Sequence, residues 1–198
     1  MKNIDFIEIG TADFWTIIED ADDSVTGFSI DPLQIYLDNL PNKVNVQKCC
    51  LAITGKCEEG KTTDVYFIPR AKIIEHGLAD WFAGCNTIGN YHPLHIHHNV
   101  THHVSRVTVS MMSLGSFYDL HQIQGCAFLK IDTEGHDVVI LDEFANYLKQ
   151  KGVAYYPKKI QFESNELTNP EKVSDIICKY ISLGYLLESS GYDTVLNF

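Results

Sequence analysis

The spacing of apolar positions changes along the chain, and each change marks an element. Residues 4–9 are apolar apart from Asp5 and Glu8 and run into Gly10, Thr11 and Ala12, which predicts a strand, a tight turn and then a helix. Asp13 is expected to cap that helix over 14–21, where Phe14, Ile17, Ile18 and Ala21 recur at helical spacing. Residues 25–30 alternate and are rich in β-branched and aromatic types. The strand they predict ends at Asp31-Pro32, an N-cap aspartate with proline at the first helical position, and a second helix follows to near Pro41. Residues 44–53 read as a third strand and 55–63 as a turn into a fourth at 64–69, the two forming a hairpin-like extension.

Residues 70–105 hold no sustained period and carry Gly77, Gly84, Gly89 and Pro93, so an insertion at about 55–110 is expected over the sheet's carboxyl edge. A short strand at 107–112 and a short helix at 114–120 precede the stretch 128–137, FLKIDTEGHD. There a buried strand runs into charge at Asp132, Glu134, His136 and Asp137. The following helix, 136–150, places Val138, Leu141, Ala145 and Leu148 on one stripe, and Gly152 can end it. Residues 160–163 form another strand ending in a carboxylate. Asn169-Pro170 opens a helix with Val173, Ile176, Ile177, Tyr180 and Ile181 on its core face, stopped by Gly184, and strands at 185–189 and 194–198 close the chain. Strands that alternate with helices predict parallel βαβ units in an α/β sheet covered on both faces.

Composition narrows the class. With 198 residues, 45% of them hydrophobic, one domain or one domain with an insertion is expected. A formal charge of -11 opposes nucleic acid as a partner, because that binding depends on cations meeting phosphates. The cysteines at 49, 50, 57, 85, 126 and 178 include no CxxC pair, and adjacent strand residues face opposite sides, so thiols in a reducing compartment are expected. Strand-like sequence begins at Ile4, and no apolar run approaches the ~20 residues of a membrane span. A soluble, cytoplasmic protein with no membrane partner is the expectation.

Two constellations can carry chemistry. FIEIGT, residues 6–11, is followed about twenty residues later by FSID, residues 28–31. A glycine turn after a first strand lets backbone approach a ligand, and an acid ending the next strand can bind ribose hydroxyls. Only Gly10 stands in the loop, so this is not a GxGxxG pyrophosphate cradle and a nicotinamide enzyme is disfavoured. The plainer alternative, Gly10 as a turn and Asp31 as a helix cap, has equal weight on spacing alone. The second constellation is His92, His95, His97, His98, His102 and His103, with no Asp or Glu between Asp80 and Asp119. Such imidazoles suit zinc, a substrate-facing loop or a solvated loop. We assign no metal. With Arg106 they make the insertion less negative, which suits an acidic acceptor.

FIEIGT, GFSIDPLQIYLDNLP, LKIDTEGHDVVIL and IQFES, with the later LGYLL, resemble the FkbM-type S-adenosylmethionine-dependent methyltransferases over most of the chain. LKIDTEGHD is similar to that family's K-I-D-x-E-G signature, and GLADWFAGCNTI to a segment found in part of it. The resemblance implies a single Rossmann-like class I methyltransferase domain over 1–198, with a mostly parallel seven-stranded sheet and an antiparallel last strand. It also implies transfer of a methyl group from S-adenosylmethionine, usually to a hydroxyl oxygen of a small molecule or glycan. Glu8, Gly10 and Thr11 then match the first cofactor motif, Asp31 the ribose-binding acid, and Asp132 and Glu134 the acids of the signature. The first motif departs in lacking its later glycine, with Asp13 and Phe14 there. The chain starts almost at that motif, and a homo-oligomer in which a second subunit helps close the substrate side is an expectation.

Methyl transfer to oxygen needs in-line alignment and a base to receive the hydroxyl proton. Asp132, Glu134 and His136 are the candidates, although His136 reads more readily as a solvated first-turn residue. Trp81, Asn86 and His92 are assigned to substrate, with Phe82 and Tyr91 nearby. The rival reading is a non-catalytic cofactor- or metal-binding protein on the same scaffold, with the histidine segment as its recognition loop.

Overall fold

All four residues 6–9 are buried, Glu8 among them, because the first strand lies inside a sheet with helices on both faces. The computed structural model describes residues 1–56 and 60–198, so Cys57 and the middle of the turn expected at 55–63 lie outside the described residues. The chain runs β1 (Lys2–Ile9), α1 (Ile17–Asp20), β2 (Gly27–Asp31), α2 (Gln34–Asn39), β3 (Val46–Cys50) and β4 (Ala52–Thr54). It continues through β5 (Thr62–Phe67), α3 (Arg70–Glu75), β6 (Thr87–Ile88), α4 (Pro93–His97), β7 (Ser105–Ser113) and α5 (Leu114–Leu120). Then come β8 (Ile123–Ile131), α6 (Asp137–Lys151), β9 (Lys159–Glu163), α7 (Pro170–Ser182), β10 (Leu186–Ser189) and β11 (Asp193–Asn197).

The large sheet has the order β10-β11-β9-β8-β1-β2-β3 and is parallel except for β11, which is antiparallel to both neighbours. Ile7, Ile9, Leu129 and Ile131 on one face pack against Phe117 of α5, Ile140, Leu141 and Phe144 of α6, and Tyr180 of α7. Phe6 on the other face packs against Ile18 of α1 and Leu37 of α2. The stripe of α6 is broader than the spacing predicts, since Ile140 and Phe144 are buried with Val138, Leu141, Ala145 and Leu148. Each such side chain contributes about 1.5–3 kcal/mol relative to leaving it exposed.

Four expectations are corrected. Asp13 caps no helix: its carboxylate pairs with Arg70 and Asn39, and α1 is a single turn capped by the reciprocal Thr16–Glu19 box. Asp31 closes β2 rather than capping α2, whose N-cap is Leu33. The ten residues read as one strand serve two sheets, because the chain bends at Leu51 and β4 leaves to pair with β7. The expected hairpin does not form either, as β5 pairs with β7 and β6. This second sheet, β4-β7-β5-β6, buries Ala52, Val65 and Val109 with Leu33 and Tyr36, and the segment 68–100 beside it has its own core of Ile68, Ile73, Phe82, Ala83, Cys85 and Val100. It is tied to α2 by Tyr36, whose hydroxyl donates to the Ala83 carbonyl at 2.7 Å.

The described cysteines are free, with Cys49 buried and its neighbour Cys50 exposed on the other side of β3. Among the described residues no helix is long and apolar enough to cross a membrane.

Candidate active site

The carboxyl ends of β2, β1 and β8 lie side by side, and each hands the chain to a loop with a distinctive first residue: Asp31 at the end of β2, Gly10 after β1 and Asp132 after β8. The Gly10 N–H donates to the Ile30 carbonyl and the Asp132 N–H to the Ile9 carbonyl, both at 2.9 Å, so the ladder continues one step into the loops. Gly10 has φ +78°, and a Cβ there would lie 1.8 Å from the Asp132 carbonyl oxygen. Only glycine lets the two loops approach this closely. Ala12 and Trp15 also have positive φ, 47° and 55°, in the same loop. Backbone strain of this kind collects at ligand sites.

These loops border a cleft of about 890 Å³, open solvent at its mouth included. One end is apolar, formed by Leu51, Ala52, Ile53, Val65 and Ile88 beside Asp31. The other end holds Lys130, Asp132, Thr133 and Glu134, and Phe14 and Trp15 form part of the rim. Asp31 is 4% exposed; one carboxylate oxygen accepts the Ala12 N–H at 2.9 Å and the other the Leu33 N–H at 2.8 Å. Each oxygen keeps a lone pair for a ligand. Burial outweighs those two hydrogen bonds and pushes the Asp31 carboxyl up to about 7.

The β8 end is a carboxyl cluster. Burial and the neighbouring Asp137 carboxylate push Asp132 up to about 7. Asp137, the first residue of α6, accepts the Thr133 N–H and hydroxyl and the Glu163 N–H, which locks the loop after β8 to the end of β9. Burial pushes it up to about 6. Glu163 has one oxygen held by the Asn165 amide at 2.6 Å and the other buried without a partner among the described residues. Burial, then the charges of Glu134, Asp132 and Asp137, push Glu163 up to about 9.

The expected site residues separate into two groups. Gly10, Thr11, Asp31, Asp132, Glu134 and Asn86 line the cleft. Asn86 donates to the Ala83 carbonyl, while its Oδ1 is buried without a partner among the described residues. Glu8, His136, Trp81 and His92 do not line it. Glu8 stands opposite Lys130 in the parallel register, accepts its ammonium at 2.9 Å, and with its other oxygen accepts the Ile17 N–H at the start of α1. It shapes the loop from behind. His136 turns to the second sheet, with Nε2 2.8 Å from the Thr54 hydroxyl. Trp81 stacks on Phe82 at 3.9 Å. His92 is fully buried, with Nε2 3.0 Å from a Glu134 oxygen.

The histidine segment is divided. His92 and His95 are buried, whereas His97, His98 and His102 face solvent. Among the described residues no group of three His, Cys, Asp or Glu is placed to hold a metal ion. Arg106 pairs with Asp64 outside the cleft. Lys130, held by Glu8, is the one cationic side chain in the cleft's described lining. The surroundings therefore do not match the acidic acceptor expected from the histidines. Glu163 and Lys130 carried signals, a strand-end carboxylate and a lone charge inside an apolar strand. What they contact depends on which strands become neighbours.

The methyltransferase FkbM domain model matches residues 8–186. Neither a curated protein nor a solved structure matches the chain.

Proposed function

The chain belongs to the FkbM methyltransferase domain family, and on that basis we propose that it transfers a methyl group from S-adenosylmethionine to the hydroxyl oxygen of a neutral small molecule or glycan. The seven-stranded order with an antiparallel β11 between β9 and β10 fits the class I methyltransferase arrangement. The observation that carries the reading is the Asp31–Gly10–Asp132 row at three adjacent strand ends, where a buried acid with two free lone pairs stands beside a backbone cradle that a Cβ would fill.

Bound there, S-adenosylmethionine supplies an electrophilic methyl group. The residues present fit it. Asp31 would accept its ribose hydroxyls, and Leu51, Ile53, Val65 and Ile88 would pack on the adenine ring. The loop from Gly10 to Trp15 would hold the methionine part. The unpartnered Asn86 Oδ1 offers an acceptor for a ligand N–H. Asp31, Asp132 and Glu134 against a single paired lysine make the cleft favourable to a cation and unfavourable to an anionic acceptor. A neutral hydroxyl meets no such penalty, and Asp132 and Glu134 are the acids positioned to take its proton.

Asp31→Ala is expected to weaken S-adenosylmethionine binding roughly 100-fold or more, because two hydrogen bonds to a charged acceptor are lost at ~1.5–3 kcal/mol each. Isothermal calorimetry reads this directly. Folded wild-type protein that takes up no S-adenosylmethionine would remove the proposal, and an unchanged affinity in Asp31→Ala would remove the ribose assignment.

A further inference from the structure

His92 was expected at the substrate and is instead sealed behind Glu134, with no exposed surface. The backbone N–H of Leu94 points at its Nδ1 from 3.1 Å. A backbone amide can only donate, so Nδ1 accepts and carries no proton. The proton of the neutral ring then sits on Nε2, which lies 3.0 Å from Glu134 Oε2 and donates to it. The tautomer follows from this one backbone contact.

Glu134 is constrained from a second direction. Its φ is +53°, a left-handed conformation that costs a residue with a side chain ~1–2 kcal/mol. Thr133 before it is bound through both N–H and hydroxyl to Asp137. With Oε2 engaged by His92, Oε1 has no hydrogen-bond partner among the described residues. The side chain lines the cleft near Gly84, where an added Cβ would come within 3.8 Å of Oε1. The two neighbouring acids are placed differently: Glu163 lies outside the cleft lining and is pushed up by burial and the surrounding acids, and Asp132 stands among like charges.

From this geometry we infer that His92 is a positioning residue whose Nε2–H holds Glu134 so that Oε1 faces the cleft as the proton acceptor for the substrate hydroxyl. The inference rests on the methyl-transfer reading above. In the step, the acceptor's O–H bond breaks and an Oε1–H bond forms. The electron pair stays on the acceptor oxygen, which becomes the nucleophile. The His92 proton does not move, because the Leu94 amide occupies the nitrogen that would otherwise receive one. His95, whose ring centroid lies 5.5 Å from that of His92 and whose two nitrogens have no partner among the described residues, extends no relay.

Two measurements test it. Two-bond 1H–15N spectra of histidine-labelled protein, with His92 assigned by its loss in His92→Gln, should show a protonated Nε2 and a bare Nδ1. The Nε2–H signal should shift in Glu134→Ala. Methyl transfer from labelled S-adenosylmethionine to a panel of methyl glycosides and polyols should fall about 100-fold in kcat for His92→Leu, the scale of a lost general base. Donor affinity by calorimetry should stay unchanged. His92→Gln, which can place an amide N–H near the Nε2 position, should recover activity to within about tenfold of wild type. A protonated Nδ1, wild-type kcat in His92→Leu, or folded His92→Gln as slow as His92→Leu would overturn the inference. Donor binding by wild type with transfer to no neutral hydroxyl would overturn Glu134 as the acceptor. Folded wild type that binds no donor sinks the methyl-transfer reading instead, and leaves the tautomer result standing.

Discussion

Gly10→Ala is expected to abolish S-adenosylmethionine binding and to destabilise the protein by about 2–5 kcal/mol, combining the left-handed backbone penalty with overpacking. The new Cβ would sit 1.8 Å from the Asp132 carbonyl oxygen, and backbone cannot step aside as a flexible side chain does. Relief requires the loops after β1 and β8 to separate. That moves Ala12 away from the Asp31 carboxylate it bonds and Asp132 away from the Ile9 carbonyl. The Asp31 and Asp132 ends of the cleft are thus disturbed together by one methyl group. Thermal unfolding and calorimetry read the two effects. Wild-type affinity in a stable Gly10→Ala protein would show that the loop does not hold the donor.

Stability without a ligand is expected to fall as pH rises, by several degrees in Tm between pH 6 and 9, given the ~2–4 °C per kcal/mol of a chain this size. The sign follows from the carboxyl cluster. Burial raises Asp31 and Asp132 from 3.8 to about 7, Asp137 from 3.8 to about 6 and Glu163 from 4.5 to about 9. Between the unfolded and folded values the native state holds protons that the unfolded chain has released. Unfolding free energy therefore decreases with pH across that window, from about 4 upward. Asp132, Asp137 and Glu163 lie together at the β8 and β9 ends and titrate as a set, while Asp31 stands apart at the end of β2. Glu163 spans the widest window, and Glu163→Gln keeps an acceptor for Asn165 while removing the charge. That variant should be more stable than wild type at pH 9 and show a flatter slope. A wild-type Tm that is level or rising from pH 6 to 9 would contradict the cluster, and an unchanged slope in Glu163→Gln would remove Glu163 from it.

Such a cost is carried at strand ends that border the cleft, where Asp31 and Asp132 are part of its lining. Occupation of the cleft by a cation should offset part of it. The Glu8–Lys130 pair differs in this respect. It lies behind the loop, closes within the sheet, and supports the turn at Gly10 by capping α1.

How much was legible beforehand depended on whether the signal was local. α7 was readable because Asn169 caps it, Pro170 opens it and its core face repeats within one helix at Val173, Ile176 and Tyr180, although Ile181, expected on that face, is exposed. α5 was readable for similar reasons, and α6 nearly so. α1 was misplaced because Asp13 has the chemistry of a cap but finds Arg70, 57 residues away. Residues 44–53 have unbroken strand propensity, and propensity carries no information about which sheet a strand joins. Gly10, Asp31 and Asp132 were identifiable because each stands at the end of its own strand, and parallel strands bring their carboxyl ends to one edge.

By itself, then, the sequence determined the alternation of elements, the family, and the row of residues at the strand ends, since all three are written in neighbouring positions. Only the tertiary structure decided which of those residues face the cleft. It turned His136 toward Thr54, put Glu8 behind the loop, removed Trp81 from the lining and brought His92 against Glu134 across 42 residues of chain. The physical reason is that a hydrogen bond between side chains is fixed by the packing of two elements against each other. The segment carrying His92 belongs to the second sheet, whose seating on the first no local pattern records.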